Sequence, residues 1–113
     1  MITLWHNPRC SKSRAALKIL TEAGAEFKEY RYLDTAPSVD DLRDLIGKLG
    51  IAPFDLLRKG EKTALELGLN ADMPDADLIA AMAANPILIE RPIAVTEDEA
   101  IIGRPPENIA PLL

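Results

Sequence analysis

The stretch ITLWHNPRCSKSRAALKILTEAG, residues 2–24, decides the fold predicted for this chain. Its first residues, Ile2–Trp5, are β-branched or bulky and are followed by Asn7–Pro8, which predicts a short strand and then a loop. From Lys12 the apolar residues recur at helical spacing up to Gly24, a residue typical of a helix end. A strand, a loop and a helix in this order predict the first half of a βαβ unit.

The rest of the chain completes an α/β pattern. Phe27–Leu33 is rich in aromatic residues and is predicted as a second strand, parallel to the first and joined to it by a right-handed crossover. Near the C-terminus we predict three β-prone runs and a closing helix, at Ile87–Ile89, Ile93–Thr96, Ala100–Ile102 and Pro105–Leu112. The fold class is therefore α/β, a mixed sheet flanked by helices, with a C-terminal β-hairpin and helix.

The middle of the chain is predicted to be a helical insertion. Ser38 and Asp41 have the spacing of a capping box, and the helix that they begin ends at Gly50. Two short helical turns and a further helix follow, at Pro53–Leu57, at Thr63–Leu67 and from Asp72–Asp75 to Asn85–Pro86. The last boundary rests on proline, because the residue before a proline is disfavoured in a helix.

Length and charge limit the possible functions. A chain of 113 residues with 48% hydrophobic and 27% charged residues is typical of one globular domain, so we expect residues 1–113 to form a single domain. Its net charge of −5 argues against a nucleic-acid or membrane-surface binder, since such proteins need a basic face. No apolar run approaches 18 residues, and the N-terminus lacks the features of a signal peptide, so we expect no membrane partner.

Cys10 is the only cysteine, and it falls where the predicted strand has ended and the helix is about to begin. A lone cysteine cannot form an internal disulfide and favours a reducing compartment, so we expect the protein in the cytoplasm. Helix N-termini and nearby cations favour the thiolate, which is the reactive form. Residues 1–20 contain no carboxylate and four cations, Arg9, Lys12, Arg14 and Lys18. Without a second cysteine or a histidine cluster, we expect no metal site.

Neighbouring side chains could support this thiolate. Arg14 lies four residues after Cys10, about one helical turn away on the same side of the helix. Ser11 and Ser13 could donate hydroxyl hydrogen bonds to the anion. His6 could approach from the strand end, where it would either aid deprotonation or hold the loop, and the sequence leaves both roles open.

Three further arginines, Arg58, Arg91 and Arg104, lie at the ends of predicted elements. Arginine suits a tetrahedral oxyanion because its planar fork donates paired hydrogen bonds and keeps its charge. Surface solubility is the alternative role for any one of them. Their position at element ends, where binding sites are commonly built, favours convergence on one site.

The segment His6–Arg14 has the form His-x3-Cys-x3-Arg and resembles the glutaredoxin-linked arsenate reductase family. Further similar segments follow in the same order along nearly the whole chain: Leu56-Leu-Arg58-Lys, Asn85-Pro-Ile-Leu-Ile-Glu-Arg91-Pro-Ile and Gly103-Arg104-Pro. The resemblance implies a thioredoxin-like fold. It also implies a cis peptide bond at Pro92, since such folds commonly place a cis-proline beside the reactive cysteine.

The same resemblance implies roles for individual residues. Cys10 would attack arsenate and form a covalent thiol–arsenate adduct. The arginines that bind and stabilise the oxyanion match Arg58, Arg91 and Arg104. The positions that support the thiolate match His6, Ser13 and Arg14.

The resemblance further implies the co-substrates and partners. Glutathione would release arsenite and leave a mixed disulfide on Cys10, which glutaredoxin would reduce, so the resolving thiols come from other molecules. No bound cofactor is implied, and we expect a monomer whose partners are glutathione, glutaredoxin and an arsenate-like oxyanion.

Two other functions stay open at this point. The chain could be a thiol redox enzyme of the same fold whose substrate is not arsenate. It could also be a regulator resembling Spx that binds RNA polymerase, but such regulators commonly carry a Cys-x-x-Cys pair, and here Ser13 stands three residues after Cys10. The full set of arginines favours an enzyme acting on an oxyanion.

Overall fold

In a computed structural model that describes residues 1–113, the two ends of the chain build one mixed sheet. Its four strands are β1 (Ile2–Trp5), β2 (Phe27–Tyr30), β3 (Ile93–Val95) and β4 (Ala100–Ile102), in the order β2-β1-β3-β4. The β1–β2 pair is parallel, whereas the β1–β3 and β3–β4 pairs are antiparallel. The predicted mixed α/β architecture is therefore confirmed, with its parallel pair and its C-terminal hairpin.

Two units divide the chain. The first unit consists of residues 1–32 and 91–113 and contains the sheet, helix α1 (Ser11–Glu22) and a C-terminal 3-10 helix (Pro106–Leu112). The second unit consists of residues 33–90 and is helical. That residues 1–113 act as a single domain stays a prediction.

The core of the first unit lies between one face of the sheet and its two helices. Leu4 and Ala94 come from the sheet, Ala16 and Leu20 from α1, and Ile109 from the C-terminal 3-10 helix, and all five are fully buried. Ala16 and Leu20 are four residues apart, so they share the face of α1 that covers the sheet. Burying a leucine side chain in this way stabilises the fold by about 1.5–3 kcal/mol.

The second unit contains α2 (Val39–Leu49), α3 (Pro53–Leu56), α4 (Lys62–Glu66), α5 (Asp75–Ala84) and a 3-10 helix (Pro86–Leu88). Helix α2 begins with the predicted capping box, in which the Asp41 N–H donates to Ser38 Oγ and the Ser38 N–H donates to Asp41 Oδ2, each at 3.0 Å. It ends at Gly50, whose φ of 68° is the left-handed conformation that glycine adopts without strain. No helix of the protein is both long and apolar enough to cross a membrane.

Two β predictions were wrong. Strand β2 ends at Tyr30 and not at Leu33, because its parallel pairing with β1 stops at the Trp5–Tyr30 partners. The run Ile87–Ile89 is not a strand, since Pro86 begins a 3-10 turn in which the Ile89 N–H donates to the Pro86 carbonyl. Only Ile89 keeps a β contact, a single antiparallel bridge to Leu57.

The closing helix is present, but as a 3-10 helix over Pro106–Leu112. Its hydrogen bonds span three residues, as in the 3.0 Å bonds from the Asn108 N–H to the Pro105 carbonyl and from the Leu113 N–H to the Ala110 carbonyl. Pro111 inside the segment has no N–H to donate to a carbonyl four residues earlier, which an α-helix would need there.

Neighbouring atoms pack closely against Gly103 but not against Gly47. A Cβ on Gly103 would lie 3.0 Å from Pro92 Cγ and 3.3 Å from Ile109 Cγ2, and the Gly103 N–H donates to the Pro92 carbonyl at 2.8 Å. Gly47 lies inside α2, where an added Cβ would meet nothing within 4 Å.

These surroundings predict opposite effects of the same substitution. Gly103→Ala should lower the free energy of unfolding by about 1–3 kcal/mol because it overpacks the contact with Pro92 and Ile109. Gly47→Ala should raise it by up to about 1 kcal/mol because alanine loses less backbone entropy in a helix. Urea unfolding followed by far-UV circular dichroism measures both, and shifts in the same direction would contradict the packing at Gly103.

Candidate active site

Cys10 occupies the N-cap position of α1, with extended backbone angles of φ −93° and ψ 124°. Its carbonyl accepts the first helical hydrogen bond, from the Arg14 N–H at 3.0 Å, and its own N–H donates to the Asn7 carbonyl. No side chain caps the helix, and its first turn contains no acidic residue. The half-buried thiol therefore extends from the position where a capping oxygen usually accepts N–H hydrogen bonds, which suits an anionic sulfur.

A buried polar link holds the loop before Cys10. His6 is 2% exposed and Ser13 is fully buried, and His6 Nδ1 lies 2.7 Å from Ser13 Oγ. The Asn7 N–H donates to the same oxygen at 2.9 Å, and Asn7 Oδ1 accepts from the Arg9 N–H. These contacts connect His6 to the loop before Cys10, and both roles left open by the sequence stay predictions.

Burial favours the neutral form of this imidazole. Desolvation lowers the pKa of His6 below its ordinary value of 6.5. The Glu29 carboxylate opposes that shift, with its Oε1 atom 3.7 Å from His6 Nε2. Arg31 and Arg14 add smaller contributions that lower the pKa, so a neutral ring is favoured at neutral pH.

Arg14 contributes a positive charge beside the same loop. Its Nη1 group donates to the Pro8 carbonyl at 2.9 Å, so the side chain folds back from the first turn of α1. The guanidinium is held near the loop carbonyls without a carboxylate partner, so its charge is not neutralised locally.

Arg91 is the most unusual charged residue of the first unit. It is only 8% exposed, and its buried Nε and Nη1 atoms have no hydrogen-bond partner. Arg104 lies next to it, with its Nη1 group donating to the Arg91 carbonyl at 3.0 Å. A buried guanidinium with unpaired donors is costly, and an anion that accepts from those donors would offset the cost.

The peptide bonds that follow both of these arginines are cis, at Arg91–Pro92 and at Arg104–Pro105. The family resemblance implies a cis bond at Pro92, and this prediction is confirmed. No such prediction follows from the sequence for Pro105. Pro92 is buried and immediately precedes β3. Arg91 therefore lies two residues before the start of that strand.

Arg58 belongs to the second unit and is held there by two carboxylates. Its Nη1 atom lies 3.2 Å from Glu61 Oε2, and its Nε atom lies 3.5 Å from Glu90 Oε1. Its N–H donates to the Leu88 carbonyl at 2.7 Å. The predicted convergence of Arg58 on Cys10 stays a prediction.

Three carboxylates, Glu29, Glu61 and Glu90, contact predicted site residues but were missed from the sequence. Glu61 stands three residues after Arg58, and its N–H donates to the Arg58 carbonyl in a turn, so the nearness of the two side chains follows from local sequence. Glu90 and Glu29 reach Arg58 and His6 through the packing of distant segments, and no local pattern indicates such contacts.

Comparisons with known proteins place these features in one family. A family model described as the ArsC family matches residues 5–112. An arsenate reductase of Neisseria meningitidis serogroup A is 44% identical, over 99% of this chain and 97% of that protein. An arsenate reductase of Escherichia coli is 42% identical, over 99% of this chain and 80% of that protein.

A solved structure shows the same architecture. The arsenate reductase from Vibrio cholerae is 41% identical and superposes with a TM-score of 0.95, covering 99% of this chain and 97% of that one. Together with the mixed sheet and its flanking helices, this match confirms the predicted thioredoxin-like fold class.

The lowered pKa of His6 predicts how the stability depends on pH. The folded state favours neutral His6, so its contribution is fully present above the unfolded pKa of 6.5 and is lost as the pH falls through the lower, folded pKa. His6→Asn removes the titrating ring but keeps a polar group that can reach Ser13. The wild-type free energy of unfolding, relative to this variant, should therefore fall as the pH is lowered from about 7.5 through the ordinary pKa of 6.5 and on through the lower, folded pKa.

Urea titrations of both proteins at a series of pH values measure this difference, because the carboxylates that titrate over the same range are common to both. A difference that is constant across the series would show that His6 keeps its ordinary pKa on folding.

Proposed function

Since the chain belongs to the ArsC family, we propose that it is an oxidoreductase that reduces arsenate to arsenite through Cys10. The observation that carries the proposal is Arg91, a buried guanidinium with two unpaired donors, in the unit that also contains the thiol. A tetrahedral oxyanion supplies the acceptors that such a guanidinium lacks. In this proposal the protein works as a monomer in the cytoplasm, with glutathione and glutaredoxin as its reducing partners.

The first chemical step forms the adduct. The Cys10 thiolate attacks the arsenic of arsenate, a sulfur–arsenic bond forms, and an arsenic–oxygen bond breaks to release water once the leaving oxygen has been protonated. Arsenic remains in the +5 state. The backbone N–H groups at the start of α1 stabilise the thiolate before the attack, and Arg14 adds a nearby positive charge.

The second step transfers the electrons. A glutathione thiolate attacks Cys10 Sγ, a sulfur–sulfur bond forms, and the pair of electrons of the sulfur–arsenic bond passes to arsenic, which leaves as arsenite. Two thiols are thereby oxidised to one mixed disulfide while arsenic is reduced by two electrons. Glutaredoxin then exchanges with that disulfide and regenerates the Cys10 thiol.

The arginines serve the oxyanion in this scheme. Arg91 and Arg104 bind the arsenate oxygens and stabilise the charge that develops on them during attack. Arg58 completes the set that the family resemblance implies. His6 and Ser13 hold the loop that precedes Cys10 and so fix the position of the nucleophile.

One observation favours a second function, a thiol redox enzyme of the same fold with a different substrate. Glu61 and Glu90 surround Arg58 and give the group of three side chains a net negative charge. An arginine in that setting attracts a dianion such as arsenate less strongly than an unpaired arginine would. The assays below separate the two functions.

The reaction cycle predicts one covalent intermediate. An assay that couples arsenate reduction to NADPH through glutathione, glutaredoxin and glutathione reductase should show turnover that Cys10→Ser abolishes. Intact mass spectrometry during turnover should find one glutathione on the wild-type protein and none on Cys10→Ser. Full arsenate turnover with thioredoxin and no glutathione would contradict the cycle. Glutathionylation of Cys10 without arsenate turnover in either system would favour the second function.

The arginine geometry predicts that charge alone is not enough at position 91. Arg91→Lys keeps a cation but loses the planar fork, so kcat/KM for arsenate should fall by at least about tenfold, as expected for one lost charge-assisted hydrogen bond. Arg43→Lys on the exposed side of α2 is the matched control and should leave the rate unchanged. Equal rates for Arg91→Lys and wild type would remove Arg91 from the oxyanion site.

A further inference from the structure

We propose that Glu29 is a positioning residue that selects the Nε2–H tautomer of His6, and that this choice commits the Ser13 hydroxyl proton to His6. The proposal deepens the proposed function, because it rests on Cys10 as the nucleophile whose loop this network holds. The residues lie on three elements: Glu29 on β2, His6 just after β1 and Ser13 in the first turn of α1.

The hydrogen bonds of Ser13 fix the direction of its proton. Ser13 is fully buried, and its Oγ atom has two hydrogen-bond partners, the Asn7 N–H at 2.9 Å and His6 Nδ1 at 2.7 Å. The Asn7 N–H can only donate, so it uses a lone pair of the oxygen. The remaining partner for the hydroxyl proton is His6 Nδ1, and a buried hydroxyl without an acceptor costs about 1–3 kcal/mol.

His6 must then carry its own proton on the other nitrogen. If the Ser13 hydroxyl donates to Nδ1, that nitrogen is unprotonated, and neutral imidazole has its proton on Nε2. Glu29 Oε1 lies 3.7 Å from Nε2, too far for a hydrogen bond but close enough for a favourable charge–dipole interaction with the N–H. The opposite tautomer would direct the Nε2 lone pair at a carboxylate and leave the Ser13 proton without its acceptor.

Strand pairing places Glu29 where it can act. Leu4 of β1 is paired with Glu29 of β2, and the His6 N–H continues the ladder by donating to the Tyr30 carbonyl at 2.9 Å. Since side chains alternate along a strand, a residue two positions after Leu4 lies on the same face, diagonal to Glu29.

One carboxylate and two cations act on the ring. Glu29 faces Nε2 from β2, and Arg31 lies beyond it with an Nη2–Oε1 distance of 3.9 Å. Arg14 of α1 also lowers the pKa of His6 through its positive charge. Glu29 is therefore the one carboxylate that raises the pKa of His6, whereas burial and two cations lower it. Removing Glu29 would lower this pKa further.

The network changes the role expected for Ser13. A hydroxyl whose proton is committed to His6 cannot donate it to the Cys10 thiolate, so Ser13 supports the nucleophile by fixing the loop. Protonation of His6 reverses the bond, because Nδ1–H then donates to Ser13 Oγ and the hydroxyl proton is released to another acceptor. His6 is thus the group through which pH reaches the loop before Cys10.

Nitrogen-15 NMR of the imidazole tests the proposal, since His6 is the only histidine of the chain. At neutral pH the wild type should show an unprotonated Nδ1 and a protonated Nε2. In Glu29→Gln the Nδ1–H tautomer should become measurable and the titration midpoint should fall, with at least a twofold loss of proton affinity. Glu22→Gln removes the same charge from an exposed ion pair on α1 and should change neither property.

Ser13→Ala separates the two partners of the ring. If Glu29 selects the tautomer, Nε2–H still predominates after the serine hydroxyl is removed. A switch to Nδ1–H in Ser13→Ala, together with an unchanged tautomer in Glu29→Gln, would overturn the proposal and assign the choice to Ser13. A wild-type ring protonated on Nδ1 at neutral pH would also overturn it. None of these measurements depends on arsenate turnover, so they fail or succeed separately from the proposed function.

Discussion

The first unit depends on the buried oxygen of Ser13, which joins three parts of the chain. It accepts a hydrogen bond from the Asn7 N–H in the loop, contacts His6 at the end of β1 and is itself part of α1. Because this oxygen and its two partners are buried or half-buried, an arrangement that left any of the three groups unpaired would be destabilised. The strand end, the loop and the helix start are therefore fixed together, and Cys10 lies between them.

The partners of the arginine side chains differ between the two units. In the second unit Arg58 is neutralised by Glu61 and Glu90, whereas in the first unit Arg91 is buried with two unpaired donors. A buried donor without an acceptor lowers stability by about 1–3 kcal/mol. Residues that lower stability in this way are typical of binding sites. The burial of Arg91 is therefore consistent with the oxyanion role proposed for it.

Local patterns predicted the parts of the fold that local chemistry controls. The capping box of Ser38 and Asp41, the glycine end of α2 and the start of α1 after Cys10 all follow from nearby residues. The failed strand at Ile87–Ile89 had suitable residues, but a strand also needs a partner, and pairing is set by distant segments. The contacts of Glu29 and Glu90 were missed for the same reason, since they exist only after residues far apart in the chain have packed.

The short outer strands limit how far another chain can pair with the edges of this sheet. Strands β2 and β4 lie at the two margins and have four and three residues, respectively. Lys28 and Glu29 place exposed charges on β2, and β4 runs into Gly103 and the prolines that follow Arg104. A neighbouring chain that tried to extend the sheet would find few backbone groups to pair with and a charged or proline-blocked margin. The short outer strands thus protect the protein against edge-to-edge aggregation.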